Sequence, residues 1–263
     1  MQVIFVKDYQ AMSRAGYAYI RELIETKREP VISLNSGGSP KGVFRLLVED
    51  VNRGLDISGA TILVLDEFTG PKDASYTVAN FMHQRFYDLI KTKPKEMFLI
   101  QGDAKDADAE IKRYRQILKE HPRDLQLLGL GTNGHIGGNE PGTPADSEMF
   151  LSQSCESTVL STMKEYGLTW EEAPKMAFTT GIKDILEAKQ ILLLVSGKHK
   201  AEAVKKLLEG EVTPECPATV LKNCPHATVI IDEDAASLLD METRKTAGKE
   251  TEVLKRWASI WKE

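Results

Sequence analysis

Apolar residues in this chain fall into short dense runs, and between the runs they recur every three or four positions. The first pattern reads as strand, the second as amphipathic helix. VIFV (3–6) is a strand; Asp8 then caps a helix to about Lys27, with Met12, Ala15, Tyr19 and Leu23 on its apolar face. VISLNS (31–36) is a strand and GGSP a turn; Pro40 opens a helix that presents Val43, Leu46, Leu47 and Val51. TILVLDEF (61–68) reads as one strand, 76–90 as a helix, FLI (98–100) as a strand and 106–120 as a charged helix. LQLLGLG (125–131) is the next strand, and no regular pattern follows it until about residue 173. KMAFTTG (175–181) is a strand before the helix IKDILEA, ILLLVSG (191–197) a strand before a helix over 198–209, and HATVIID (226–232) the last strand before closing helices.

The run ILLLV is apolar at every position, not at alternate ones. That suits a strand covered on both faces, so the alternation predicts an α/β fold: a doubly wound, mostly parallel sheet with helices on both sides, a Rossmann-like three-layer sandwich. No repeat, linker or composition shift divides the chain, and residues 1–263 read as a single α/β domain with a helical tail from about 241. In that tail Val253, Leu254, Trp257 and Trp261 make an apolar stripe that docks on the body or on a partner subunit.

Composition narrows the function classes. Lys plus Arg number 34 against 39 Asp plus Glu, a formal net charge of −5. Such a chain lacks the basic footprint of a nucleic-acid binder but leaves room for a local anion pocket. Cys155, Cys216 and Cys224 are odd in number and show no paired spacing, so they are expected as reduced thiols in a cytoplasmic protein. Cys216, Cys224 and His226 lack a fourth ligand, and no metal is expected. The start MQVIFVKDYQ is no signal peptide, and no run approaches the roughly 18 apolar residues of a membrane span.

In a doubly wound sheet, ligands gather where strands end. Three strands here end in chemically loaded loops: NSGGSP, DEF and GLGTNGHIGGNEPG (129–142). The last matches the G-x-G-x-x-G dinucleotide pattern, but two further glycines and a proline follow Gly134 within seven residues, where that fingerprint needs a helix. The glycines instead mark a backbone that bends sharply beside a ligand. His135 and Glu140 lie five residues apart in this loop. A carboxylate facing an imidazole orients its ring, which makes a proton shuttle near neutral pH; the plainer reading is a solvated loop histidine, which fits His83, His121, His199 and His226. Asp66 and Glu67 close an apolar strand, either as functional carboxylates or as a cap. Ser36, Gly37, Gly38 and Ser39 offer hydroxyls and N–H groups at a helix start, an anion site by geometry and dipole. Lys200 adds a positive charge to that site or is a solvated helix lysine.

SGGSP (36–40), LDEF (65–68), SY (75–76), LGLGTNGHIGGNEPGT (128–143), TTGIKDIL (179–186) and LLLVSGKHKAEAVKKLLEG (192–210) run in order through most of the chain. In them it resembles the glucosamine-6-phosphate deaminase/isomerase family. The resemblance implies conversion of a hexosamine 6-phosphate to the ketose 6-phosphate with loss of ammonia, without metal or organic cofactor. It implies ring opening by His135, oriented by Glu140 with Asn133 in the relay. It further implies that Asp66 moves a proton between carbons 2 and 1, with Glu67 as a second carboxylate, and that Ser36 to Ser39 and Lys200 take the phosphate. The implied partner is a small hexosamine phosphate, with no nucleic acid or membrane, and a homo-oligomer is compatible with the resemblance. Departures accompany the match. Family members carry Thr-Arg near Cys155-Glu156, and that arginine grips the phosphate. TPADSEMFLSQS (143–154) lacks the basic residues of an allosteric segment, so activation by an N-acetylhexosamine phosphate is not expected. Gly138 replaces a bulky apolar residue, which implies a looser pocket. The galactosamine-6-phosphate isomerase branch matches equally, leaving the substrate epimer open. A 6-phosphogluconolactonase shares the architecture without needing a carbon-2 base. A non-catalytic sugar-phosphate sensor would add a DNA-binding module, which a pattern starting at residue 3 does not lead one to expect.

Overall fold

The computed structural model describes residues 1–246 and 251–261, without the side chains of 246, 260 and 261. Seven strands form one parallel sheet: β1 (Gln2–Val6), β2 (Val31–Leu34), β3 (Thr61–Val64), β5 (Glu96–Phe98), β6 (Leu125–Gly129), β9 (Ile191–Val195) and β10 (Ala227–Asp232), in the order β1-β10-β9-β6-β2-β3-β5. The continuous apolar runs have the expected cause. Leu192 and Leu194 of β9 enter one core cluster, with the buried faces of α1 (Tyr9–Thr26), α2 (Lys41–Arg53), α3 (Val78–Met82) and α4 (Ala107–Glu120). Ile191, Leu193 and Val195 enter the other, with α6 (Ile182–Leu186) and α7 (Ala201–Glu209). Both sides of each central strand are therefore dry, as a doubly wound sheet requires.

Caps fall where the side chains predict. Asp8 accepts from Ala11 N at 2.8 Å and Asp106 from Ala109 N at 3.0 Å, starting α1 and α4. Pro40 sits one place outside α2, as its N-cap. The helix expected over 76–90 is α3, continued by a π-helical turn, His83–Tyr87.

Two expected strands do not behave as predicted. TILVLDEF breaks after β3: Asp66–Phe68 form β4, which leaves the parallel sheet and pairs antiparallel with β8 (Met176–Thr179). β8 in turn pairs with β7 (Phe150–Gln153), so β4, β8 and β7 make a separate three-stranded sheet. The stretch without a clear pattern holds β7 and the helix α5 (Glu156–Tyr166). Beyond β10, α8 (Met241–Thr246), α9 (Glu252–Arg256) and α10 (Ala258–Trp261) close the chain. The tail docks on the body: Leu254 is fully buried, Trp257 Nε1 donates to Glu22 at 2.8 Å, and the Tyr19 and Thr251 hydroxyls meet at 2.6 Å. The Trp261 side chain lies outside the described residues.

From β2 the chain winds outward through β3 to β5; from β6, on the other side of β2, it winds through β9 to β10. β2 and β6 are thus the neighbours at which winding reverses, and a crevice opens beyond their carboxyl ends.

Candidate active site

The loops after β2 and β6 face each other across that crevice and line a cavity of about 830 Å³. Ser36, Gly37, Gly38 and Ser39 supply one wall, Asp66 another, His135 and Glu140 a third, and Lys200 reaches in from the segment leading to α7. The residues singled out from strand ends converge on one space, except for Asn133, which sits behind His135, and Glu67. Successive strand residues point to opposite faces, so Glu67 turns away from Asp66 and the cavity. Its oxygens accept from Val78 N and Ala79 N, each at 2.7 Å, and cap α3. Burial pushes its carboxyl up to about 8 despite those donors. Glu67 is a cap, not a second carboxylate of the site.

Asp66 is held differently. Its Oδ1 is buried with no hydrogen-bond partner. Burial raises the carboxyl to about 6, against the opposing pull of His135. A carboxylate so poised can accept a proton near neutral pH.

The relay is ordered by a chain of bonds whose directions can be read in turn. Glu140 Oε2 accepts from Asn133 Nδ2 at 2.8 Å, so the amide oxygen of Asn133 faces the imidazole. That oxygen lies 2.8 Å from His135 Nδ1, which must therefore carry the hydrogen. Thr158 Oγ1 at 3.3 Å and Glu140 Oε2 at 3.4 Å complete the surroundings of Nδ1. Nε2, with no protein partner among the described residues, is left to act toward the cavity. Burial alone would raise Glu140, but His135, Thr158 and Asn133 outweigh it and bring the carboxyl down to about 2. Gly131 explains one glycine of the dinucleotide-like pattern: a methyl group there would run into the His135 ring. After β6 the chain turns rather than opening a helix; Gly131 makes room for the imidazole, while Gly134 packs against Cys216.

Other features of the site were not legible in the sequence. The α5 helix covers the cavity and brings Thr158, Ser161, Thr162, Lys164 and Glu165 to its wall. Neither Cys155, the N-cap of α5, nor exposed Glu156 lines the cavity; the lysines there are Lys164 and Lys200. Burial lowers the Lys200 ammonium from its usual value. Asn35 is 6% exposed and its Oδ1 has no partner. Gly138 does not loosen the pocket, because Thr179 fills the place of a side chain and its Oγ1 accepts from Gly138 N at 2.9 Å. Beside the site, residues 141–153 border a second cleft of about 640 Å³ whose lining includes Glu140 and Glu148 and no lysine or arginine. Among the described residues no cluster of His, Cys, Asp or Glu is arranged to hold a metal ion, and no helix is long and apolar enough to cross a membrane.

Comparison with known proteins agrees with this arrangement. The family profile described as glucosamine-6-phosphate isomerases/6-phosphogluconolactonase matches residues 8–230. The curated glucosamine-6-phosphate deaminase of Bacillus cereus (strain B4264) is 41% identical over 239 residues, 90% of this chain and 89% of that protein. That of Bacillus thuringiensis (strain Al Hakam) is 40% identical over the same shares. A solved structure described as a monomeric glucosamine-6-phosphate deaminase of the NagB superfamily superposes with a TM-score of 0.87 at 38% identity, covering 91% of this chain and all of that one. The 6-phosphogluconolactonase of Trypanosoma brucei has a TM-score of 0.74 at 20% identity over 91% of this chain and 98% of its own, a likeness of fold alone. With the profile spanning the crevice and every loop around it, the chain belongs to the glucosamine-6-phosphate isomerase/6-phosphogluconolactonase family.

Proposed function

We propose that this chain is a glucosamine-6-phosphate deaminase that needs no cofactor. The observation that carries the reading is the convergence of Asp66, His135, Glu140 and the Ser36–Ser39 loop on one cavity, with Asn133 bonded to His135 and Glu140 behind them. The phosphate lies on Ser36, Gly37, Gly38 and Ser39, where the N–H groups before α2 favour an anion, with Lys164 and Lys200 as counter-charges. His135 Nε2 moves the anomeric hydroxyl proton to the ring oxygen, breaking the bond from that oxygen to carbon 1 and leaving an aldehyde. Asp66 then takes the proton from carbon 2; the electron pair forms the carbon 1–carbon 2 double bond while the aldehyde oxygen takes a proton released by the substrate's own carbon-2 ammonium group. Asp66 returns its proton to carbon 1, the carbon 2–nitrogen bond becomes an imine, and water replaces nitrogen to give the ketose and ammonia. Proton transfers and the consumption of one water balance the sequence, each acid–base step worth roughly 100- to 10,000-fold.

The deaminase relatives support this reading over the lactonase one, being 38 to 41% identical where the lactonase is 20%. Every residue assigned a role comes from one chain. Three free cysteines suit a cytoplasmic setting. The galactosamine epimer is the alternative substrate. A paired assay decides: ammonia and ketose 6-phosphate are expected from glucosamine 6-phosphate, with galactosamine 6-phosphate turned over more slowly. The reverse order assigns the other epimer, and no ammonia from either overturns the reading. Lys164→Ala is expected to raise KM about tenfold with little change in kcat, as loss of a contact shared by ground and transition states does; an unchanged KM removes Lys164 from the phosphate.

A further inference from the structure

The Ser36–Ser39 loop is short, carries two glycines, and turns through Gly37 at φ 95°. Such a backbone is free to rotate its peptide units. An anion site needs them one way round. In a planar trans peptide the C=O of residue 38 and the N–H of residue 39 point in opposite directions. A flip of that unit would put an oxygen where the loop should offer a hydrogen, and would repel a phosphate.

One side chain from outside the loop opposes that flip. Tyr9, the first residue of α1, borders the cavity. Its hydroxyl donates to Gly38 O at 3.1 Å and accepts from Gly42 N, in the first turn of α2, at 2.8 Å. The contact is close because α1 and α2 interlock there: Ser13 Oγ donates to Tyr9 O at 2.8 Å, and a methyl group on Gly42 would strike Ser13 Oγ. A phenol has one hydrogen to give. With that hydrogen on Gly38 O, Tyr9 cannot also donate to a bound phosphate, so its influence passes through the loop.

We propose that Tyr9 is a positioning residue of the phosphate loop, pinning Gly38 O and the start of α2 so that the loop N–H groups stay turned toward the anion. This deepens the deaminase reading and rests on it for the substrate, but not for the anion. The test is Tyr9→Phe, which keeps the ring and removes the hydroxyl. Three quantities are compared with wild type: KM for glucosamine 6-phosphate, kcat, and the affinity for inorganic phosphate by calorimetry. KM and the phosphate dissociation constant are expected to rise together by about tenfold, the scale of one lost hydrogen bond, with kcat within about twofold. Tyr19→Phe, which cuts contacts to Thr251 in the tail and Thr228 in β10, away from the cavity, serves as the control: it should lower the melting temperature without moving the phosphate constant. A phosphate constant for Tyr9→Phe equal to wild type overturns the proposal, as does a fall in kcat at unchanged KM. If wild type releases no ammonia, the deaminase reading fails while the phosphate titration still decides the role of Tyr9. Should Tyr9→Phe not fold, Gly42→Ala displaces the same junction, and the same rise in the phosphate constant is expected of it.

Discussion

Replacing Asp66 with Asn is expected to abolish turnover, by about 10,000-fold in kcat, while inorganic phosphate binds as before. The amide keeps the size of the carboxyl but cannot accept a proton from carbon. Asp66 pairs backbone to backbone with Thr179 in β4–β8, so the substitution leaves that pairing intact. Stability supplies a second sign. Burial raises the Asp66 carboxyl from 3.8 to about 6 in the folded protein. Its contribution is fullest below the unfolded value and is lost as pH rises through about 6, because ionising it costs the folded state more than the unfolded one. The Asn variant carries no such cost and should melt at or above the wild-type temperature at neutral pH. Wild-type kcat/KM should fall on the acid side with an apparent pKa near 6, where Asp66 gains a proton and can no longer act as a base. Measurable turnover by Asp66→Asn at half the wild-type rate would remove Asp66 from its role.

Glu140→Gln should lose both catalysis and stability. Glu140 is 6% exposed; one oxygen accepts from Asn133 Nδ2 and the other from Cys155 N at 3.2 Å. A glutamine must turn an NH2 toward one of these donors. Either the start of α5 loses its tie to the loop, or the Asn133 amide rotates and no longer presents oxygen to His135 Nδ1. The second outcome undoes the tautomer on which Nε2 depends, and kcat is expected to drop about 100- to 1,000-fold. The carboxyl sits at about 2 in the folded protein against 4.5 in the unfolded one, so its stabilisation is present above about 4.5 and fades as pH falls through 2. A melt followed from pH 6 to pH 2 should show a wild-type decline in which the variant, already less stable at pH 6, takes a smaller part. Equal melting curves and equal kcat would dissolve the proposed relay.

What could be seen in the sequence, and what could not, divides along physical lines. Continuous runs such as ILLLV announced a sheet covered on both faces because both neighbours of each strand are apolar. Strand-end loops rich in Gly, Ser, Asn and carboxylates marked the crevice because polar groups there have no packing reason to exist. Periodicity failed where an element is short or its partners are distant. The break at Leu65 leaves no trace in TILVLDEF, since the same residues suit either sheet; only pairing with β8, more than a hundred residues later, bends Asp66–Phe68 away. The α5 helix buries only Val159 and Thr162, too few apolar positions to print a period on the sequence. Lys164 rides on that helix and was missed with it. Glu67 was misjudged because spacing along a strand says which residues are adjacent, but not which of two faces holds the ligand.

The central sheet joins its two windings through a narrow seam, with Ile32 aligned to Leu125 and Ser33 to Gln126. Ahead of that seam the chain carries the phosphate loop and Asp66; behind it come His135, Glu140 and both lysines. Neither winding alone carries the full lining of the cavity, so the proposed anion loop and the proposed ring-opening imidazole meet only in the finished sheet. The proposed pairing of Asp66 with His135 thus hangs on two aligned residue pairs between β2 and β6, the hinge on which both halves of the site are brought to one cavity.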